Sequence, residues 1–417
     1  MRTQRVNPML RTSLDSSTIF GILLALIWMR YTVVAYVLQI ISMLPIVNVA
    51  STIVFPAAVI LLVLIILPWM AKRVRVEALI LYMVAAIVIL LSAILYPENG
   101  DIVTEKLPRI LTAVLPMVFI GVCYDHQRHK GILFWSSVLS VVTMLAYQIY
   151  KLSKGEELME DNMDAAYKTL PSIMFLIYYA FEKKKFHYTL LAVLAGIAAF
   201  VFGTRGPILC IAAFTAISIF QIMKTRKSNG MRILLFAIVV GLACLLIFGD
   251  VLTTLAENLS EQFAKWGFST RVFDYFIEGD FSETNGRSII FEIVTAAINE
   301  RPIVGHGFLG DQMLIGQGGA GAYAHNLLLE LWCQFGLIIG SFILLYFIGK
   351  PILALVRQKG RTDMQNFLWM LICMNFVKLM LSSTYTDEQY FFFMIGVSIA
   401  ATHNAGLRAV AQEQLEE

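Results

Sequence analysis

Long apolar runs recur along the whole chain, and they constrain its fold more than any other feature. Each run approaches the roughly 20 residues that a helix needs to cross a hydrocarbon core about 30 Å thick. Only 15% of the 417 residues are charged, against about a quarter in soluble domains. A backbone surrounded by lipid must satisfy its own hydrogen bonds, which favours helices. The sequence therefore predicts an all-α integral membrane protein and excludes a soluble α/β enzyme.

The apolar runs predict about twelve transmembrane helices, arranged as a single polytopic membrane domain over residues 1–417. Arg30 interrupts the first run, so an interfacial helix followed by a shorter span is the alternative there. The predicted spans are Thr18–Met43, Thr52–Met70, Glu77–Leu95, Ile110–Cys123, Gly131–Tyr150, Leu170–Phe181, Tyr188–Phe202, Pro207–Ile222, Arg232–Phe248, Asn326–Ile348, Gln365–Leu381 and Tyr390–Thr402.

Basic and acidic clusters alternate between successive loops. Basic residues cluster in the loop with Arg73 and Arg75 and in the later loop Lys183–Lys185. The loop just before the second of these, at Glu156–Asp161, is acidic. Loops rich in lysine and arginine remain in the cytoplasm. The alternation therefore predicts a multi-pass protein with both termini in the cytoplasm.

One predicted loop, Asp250–Ala324, is too long to be a plain connection, and the alternation places it outside the cell. Apolar residues recur at helical spacing in Leu252–Trp266 and in Ser288–Ile298. Such a pattern is typical of helices that lie along a membrane surface. We expect an extracytoplasmic loop over residues 250–324 that carries two amphipathic helices.

Four basic residues on the outer side break the charge pattern. Arg205 occupies a Gly-Thr-Arg-Gly-Pro turn, Arg287 begins a predicted amphipathic helix, and Arg109 and Lys378 lie at the outer ends of their spans. A cation at this depth is costly unless it pairs or faces a polar cavity. Snorkelling to the lipid headgroups is the alternative, above all for Arg109 and Lys378. Because the arginine fork fits phosphate oxygens, we interpret these residues as a site for an anionic ligand such as a diphosphate.

His325 precedes the tenth predicted span at the outer face. Its unperturbed pKa near 6.5 suits an imidazole to act as a general base. Asn326 and Glu330 follow as candidate substrate-binding residues, although Glu330 could instead hold a neighbouring group. The alternative for His325 is a helix cap that bonds only to backbone.

These segments resemble the O-antigen ligase and polymerase superfamily of bacterial membrane glycosyltransferases. The resemblance rests on the Thr-Arg-Gly-Pro segment at Arg205, the Gly-Arg-Ser-Ile-Ile-Phe-Glu segment at Arg287, and residues 301–340 around His325. It implies that both arginines bind the diphosphate of an undecaprenyl-diphosphate-linked oligosaccharide and that His325 activates the acceptor hydroxyl. It also implies that neither a metal nor another cofactor takes part. The implied location is the bacterial cytoplasmic (inner) membrane, with the active site outside the cytoplasm.

Within this superfamily, residues 163–172 resemble a segment of capsule and exopolysaccharide polymerases. We therefore favour a polymerase that moves a glycan chain from undecaprenyl diphosphate to an incoming lipid-linked repeat unit. The first alternative is an O-antigen ligase that transfers polymer to a lipid A-core or other acceptor. The second is a transporter or flippase for the same lipid-linked sugar, disfavoured because the spans contain few charged residues. Expected partners are the lipid bilayer, a chain-length regulator and a flippase, without nucleic acid.

Several other motifs carry weaker signals. Residues 305–310 match G-x-G-x-x-G, but no βαβ unit surrounds them. His306, Asp311 and His325 have spacings too loose for a typical metal site. The cysteines suggest buried apolar positions, without a disulfide framework. The histidines expected to be solvated at cytoplasmic helix ends are His126, His129, His187 and His403.

Overall fold

The computed structural model describes residues 15–37, 50–153, 162–201, 205–225, 249–265, 270, 287–317 and 323–416. All regular secondary structure within these ranges is helical. The helices are α1 (Ser16–Trp28), α2 (Ala50–Ala71), α3 (Val76–Leu95), α4 (Gly100–Arg109), α5 (Met117–Cys123), α6 (His126–Ser153), α7 (Asn162–Lys183), α8 (Phe186–Val201), α9 (Arg205–Thr225), α10 (Gly249–Lys265), α11 (Arg287–Glu300), α12 (Gly310–Gln317), α13 (Leu327–Arg357), α14 (Thr362–Leu381) and α15 (Gln389–Glu416).

Helices of membrane-spanning length confirm the prediction of an all-α membrane protein. Among the described residues, five helical segments are long and apolar enough to cross a membrane: Val76–Leu95, Pro97–Cys123, His126–Lys151, Leu327–Arg357 and Thr362–Leu381. Shorter apolar helices cover Ala57–Ala71, Phe186–Ala199 and Gly206–Gln221. The predicted number of twelve spans is not confirmed, and the predicted span Arg232–Phe248 lies outside the described residues.

The first predicted span is bent where Arg30 interrupts its apolar run. Ser16–Trp28 and Arg30–Val37 differ in direction by 59°, and together they would make a sixth candidate span. The Trp28 side chain donates a hydrogen bond to Ser137 at 3.0 Å, and Thr32 donates one to Ser140 at 2.8 Å. Both sides of the bend are therefore held against α6.

The core of the bundle surrounds the first half of α15. Its residues from Tyr390 to Ala401 are almost all buried, whereas α3 exposes most of its large apolar side chains, as a lipid-facing helix does. A Cβ atom added at Gly121 would lie 2.2 Å from the Phe393 carbonyl oxygen, and one at Gly396 would lie 2.1 Å from the Val118 oxygen. Glycines thus let the backbones of α5 and α15 approach closely, as is common in membrane helices.

α13 is broken at Gly336, whose φ of 74° lies in the left-handed region. Trp332 Nε1 donates to Ser341 Oγ at 2.9 Å, although residues nine apart on a straight helix are separated by about 13 Å. The chain therefore turns back on itself at the break. The prediction of one continuous span over Asn326–Ile348 is wrong, because residues 327–335 form a separate short helix before the long segment 337–357.

The loop at residues 301–307 supplies the hydrogen bonds that the break removes. Leu337 N–H donates to the Pro302 carbonyl at 2.7 Å, and His306 N–H donates to the Cys333 carbonyl at 2.8 Å. In an unbroken helix, the Leu337 N–H group would have bonded to the Cys333 carbonyl. The 301–307 loop, which contains Gly305 and Gly307, thus anchors the short helix that follows His325.

The two stretches predicted to be amphipathic helices form the helices α10 and α11. The external position of the loop that carries them stays a prediction. One face of α11, at Ile290, Val294 and Ala297, packs against Ile315 and Cys333. The apolar face expected to rest on the membrane is therefore partly covered by protein.

Two of the four histidines expected to be solvated are buried. His126 and His129 retain 7% and 2% of their accessible surface, whereas His187 and His403 are exposed. His126 is buried because it joins a network around Asp363, to which its Nε2 lies at 3.0 Å. Of the five cysteines, the four that the structure describes are buried and free.

Candidate functional site

The segment between α14 and α15, which we call the 382–388 loop, lies beside His325 and contacts several elements there. Tyr323 donates a hydrogen bond from its hydroxyl to the Ser382 carbonyl at 2.9 Å. Arg287 Nη2 lies 3.5 Å from Ser382 Oγ, a long contact, and the hydroxyls of Tyr167 and Ser382 interact. Four residues that are far apart in sequence therefore converge on one position.

His325 is held beside this cluster in an unusual backbone conformation. Its φ of 52° is in the left-handed region, and its ring lies 4.2 Å from that of Tyr323 between centroids. Among the described residues, its buried Nδ1 atom has no hydrogen-bond partner. An unsatisfied buried nitrogen is uncommon in proteins, and it leaves the imidazole available to a ligand.

Burial and, to a smaller extent, the nearby Arg287 charge together lower the pKa of His325 to about 4. The imidazole is therefore neutral at physiological pH, and one of its nitrogens can accept a proton. A base of this strength removes a proton only as the acceptor oxygen forms its new bond.

Asn326, and not His325, caps the short helix. The Asn326 side-chain oxygen accepts hydrogen bonds from the backbone N–H groups of Leu328 at 3.0 Å and Leu329 at 3.3 Å. The interpretation of His325 as a helix-capping residue is therefore wrong. Asparagine is a preferred cap residue because its side-chain oxygen reaches the free N–H groups of the first turn.

Glu330 is completely buried and accepts a hydrogen bond from Thr384. Tyr385 donates to Gln334 Oε1 at 2.6 Å. Glu330 and Gln334, both on the short helix 327–335, therefore each accept a hydrogen bond from the 382–388 loop. Glu330 thus holds a neighbouring group, as the second of its two sequence interpretations proposed. Its contact with Thr384 positions the loop against the helix that follows His325.

Asp311 contacts the same short helix as Glu330 and is also completely buried. Gln334 Nε2 donates to its carboxyl at 2.6 Å. Burial raises the pKa of Asp311 to about 6, more than the hydrogen bonds that it accepts lower it. Asp311 therefore changes its charge close to physiological pH.

Arg109 and Lys378 each pair with an acidic residue near the end of the 382–388 loop. Arg109 Nη1 lies 3.1 Å from Asp387, and Lys378 Nζ lies 2.5 Å from Glu388. Both cations line one cavity of about 220 Å³. Tyr167 lines it too, and the Lys378 ammonium lies 5.0 Å from the centre of its ring. The two predicted binding residues therefore meet in one cavity, each with a counter-ion.

Arg205 begins α9, and its side chain lies outside the described part of the structure. The next residue shows where this helix end is placed. A Cβ atom added at Gly206 would lie 1.8 Å from the Tyr167 hydroxyl. The backbone at Arg205 is therefore adjacent to Tyr167, which links the cavity to Ser382 and Arg287.

Sequence reasoning missed Tyr167, Tyr323 and Ser382, which connect the predicted residues. Tyr167 lies in the 163–172 segment, which was read only for its resemblance to polymerases. Tyr323 is two residues before His325, and that proximity was the available signal. Ser382 offered no signal, because only the fold brings α14 next to α11.

The structure also places the residues of the imagined metal site. His306 Nε2 donates to the Ala297 carbonyl at 2.9 Å, and Asp311 bonds to Gln334. Within the described ranges, no group of three or more His, Cys, Asp or Glu side chains could hold a metal ion.

Residues 190–345 match the family model described as O-antigen ligase. This match supports a place for the chain in the O-antigen ligase and polymerase superfamily. No match was found among curated proteins. Members of this superfamily are glycosyltransferase-like enzymes with lipid-linked oligosaccharide substrates. The matched region includes Arg205, Arg287 and His325, whereas the 382–388 loop lies beyond it. The apolar helices and this family match together indicate a bacterial membrane protein.

Proposed function

We propose that this protein is a polysaccharide polymerase that acts at the outer face of the bacterial cytoplasmic membrane. It would transfer a growing glycan from undecaprenyl diphosphate to the terminal sugar of an incoming lipid-linked repeat unit. The observation that carries the proposal is the neutral His325, which lies near Arg287 and whose buried Nδ1 has no partner among the described residues.

In the proposed reaction, an acceptor sugar hydroxyl attacks the anomeric carbon of the donor. The bond from that carbon to the diphosphate oxygen breaks, and the diphosphate leaves with the electron pair. The acceptor proton passes to the His325 imidazole as the new glycosidic bond forms. A positioned base of this kind contributes about 10²- to 10⁴-fold to a rate.

Arg205 and Arg287 would neutralise the leaving diphosphate, so the reaction would need no metal. A guanidinium offers several fixed donors to phosphate oxygens. The contacts of Arg287 support this role: its described hydrogen bond is a long one to the neutral Ser382, which leaves its charge to a ligand. Arg109 and Lys378 would contribute more weakly, since each already has a counter-ion.

The polymerase is favoured over the ligase by the position of the 163–172 segment. Tyr167 and Lys168, both in this segment, line the cavity that holds Arg109 and Lys378. The part of the chain that resembles polymerases is thus next to the candidate site.

Glycan gels from a strain that lacks the gene would separate these functions. Loss of a polymerase leaves products with a single repeat unit, whereas loss of a ligase leaves full-length polymer unattached to its acceptor. Loss of a flippase leaves lipid-linked units in the cytoplasmic leaflet, where added glycosidases cannot reach them. We expect single-repeat products, restored to a full ladder by the wild-type gene.

The proposed orientation places His325 outside the cytoplasm and the chain termini inside. Asn299 and Lys359 are exposed positions at the two ends of the bundle. In intact spheroplasts, an impermeant maleimide should label an Asn299→Cys variant and should label a Lys359→Cys variant only after lysis. The reverse pattern would place the site in the cytoplasm and contradict the proposal.

A further inference from the structure

A second polar cavity, of about 290 Å³, opens at the end of the bundle opposite to His325. It lies where the α2–α3, α5–α6 and α13–α14 connections meet beside α15. Three arginines line it: Arg73 and Arg75 from the first connection and Arg361 from the third. The long segment 337–357 of α13 runs from the 301–307 loop, beside the short helix that follows His325, to Gln358 in this cavity. The two sites therefore lie at opposite ends of that segment.

The charges of these arginines are not neutralised by any carboxylate that the structure describes. Among the described side chains, no carboxylate lies within ion-pair distance of any of the three. Asp125 also lines the cavity, but its carboxylate pairs with Arg128 at 3.6 Å and accepts from the Gln127 N–H at 3.1 Å. Three cations in one concave site repel each other, and an anion would relieve that repulsion.

Gln358 adds a second, independent requirement on the ligand. This residue lines the cavity and is 2% exposed. Its Nε2 donates to the Ala401 carbonyl at 2.6 Å, whereas its buried Oε1 has no partner among the described residues. Buried side-chain oxygens are nearly always hydrogen-bonded. The ligand should therefore carry a hydrogen-bond donor as well as a negative charge.

We propose that this cavity binds the headgroup of an anionic glycerophospholipid with a free hydroxyl, such as phosphatidylglycerol. Its phosphate would lie among the three arginines, and a headgroup hydroxyl would donate to Gln358. Basic pockets between membrane helices on the cytoplasmic side recognise such headgroups. A soluble phosphate ester shares this polar chemistry but has no acyl chains.

The surroundings of the cavity favour the lipid. Apolar residues of α15, including Val397 and Ala400, line its inner wall. The Arg73 guanidinium lies 4.3 Å from the centre of the Trp69 ring, near the end of α2. Tryptophan is enriched at the level of the lipid headgroups. The arginines are therefore at the depth where a lipid phosphate lies.

The first test uses the purified full-length protein in detergent and native mass spectrometry with added phosphatidylglycerol. An Arg75→Gln/Arg361→Gln variant should bind this lipid about tenfold more weakly or worse, because two phosphate contacts are lost. The matched control is Lys72→Gln/Lys359→Gln, which removes the same charge from the same two connections at exposed positions outside the cavity. The control should retain wild-type binding, and equal losses in the two variants would overturn the proposal.

The second test compares ligands on the wild-type protein, so it does not depend on how a variant folds. Phosphatidylmethanol carries the same phosphodiester charge but no headgroup hydroxyl. Phosphatidylglycerol should raise the thermal unfolding temperature more than phosphatidylmethanol, and inorganic phosphate should have little effect. Equal shifts with the two lipids would remove the role of Gln358. Equal protection by inorganic phosphate would overturn the assignment to a lipid.

Discussion

His126 and His325 lie at opposite ends of the helical bundle, and they differ in whether their ring nitrogens have hydrogen-bond partners. At the His126 end, the Asp363 carboxylate is paired with Lys130 at 2.7 Å and with His126 at 3.0 Å, and Tyr178 donates to it as well. At the other end, His325 has a buried nitrogen without a described partner. The comparison separates a histidine whose hydrogen bonds hold helices together from one whose buried nitrogen, without a described partner, is available to a substrate.

The largest effect on polymer formation is expected for Arg287, at the His325 end of the bundle. Arg287→Ala should lower polymer formation about 10²- to 10³-fold, because a donor to the developing negative charge is lost. Arg287→Lys should recover little of it, since an ammonium cannot replace a planar fork.

A reconstituted assay with purified lipid-linked repeat units would measure this loss. The control is Lys130→Ala at the His126 end, which should keep the wild-type rate per folded molecule. Wild-type activity in Arg287→Lys would show that the charge alone matters.

The next prediction concerns stability at the His126 end. Asp363→Asn should destabilise the protein by about 3 kcal/mol, because it leaves partly buried partners without their carboxylate. A thermal unfolding scan in detergent would detect the loss, and the folded fraction should still transfer glycan at the normal rate. An unchanged unfolding temperature with reduced activity would reverse the roles that we assign to the two ends.

The third prediction follows from the two titrating groups near the site. Because the pKa of His325 is lowered to about 4, the base is neutral above that pH, and activity that depends on it should be lost only as the pH falls through 4. The pKa of Asp311 is raised to about 6, so this carboxyl should change the rate near pH 6.

Rate profiles of Asp311→Asn and Arg287→Gln would separate the two groups. Asp311→Asn should remove the change near pH 6, and Arg287→Gln should move the acid limb upward, since a cation beside His325 is lost. An acid limb that stays in place in Arg287→Gln would show that Arg287 does not act on His325.

The smallest effect is expected at the paired cations. The Arg109 and Asp387 side chains are 51% and 25% exposed, and exposed ion pairs contribute about 1 kcal/mol or less. Asp387→Asn should therefore change the transfer rate by less than about fivefold. A loss as large as that of Arg287→Ala would place Asp387 in the reaction itself.

The fold was predictable from the sequence where composition alone decides it. Uniformly apolar runs such as Val76–Leu95 predict membrane helices, because lipid requires them. The break in α13 was not predictable, since Gly336 is one of several glycines in an apolar run and Pro302, in the loop that contacts the break, lies 34 residues earlier. Only the tertiary contact shows which glycine takes the left-handed conformation.

The candidate site was predictable to a similar extent. Arg287 and His325 stand out because polar residues are rare near membrane spans. The pairing of Lys378 with Glu388 was not evident, because only the fold brings Glu388 next to the end of α14. The burial of His126 was missed for the same reason: its partner Asp363 comes from a helix 237 residues later.

The most direct test of the central claim is the single-turnover rate of His325→Asn with purified lipid-linked repeat units. Asparagine tolerates the left-handed backbone at this position, and Asn326 already caps the helix, so the variant should fold and bind the donor. The matched His126→Asn variant should retain the wild-type rate per folded molecule. The account predicts a rate about 10²- to 10⁴-fold below wild type for His325→Asn. A near-wild-type rate in that variant would contradict it.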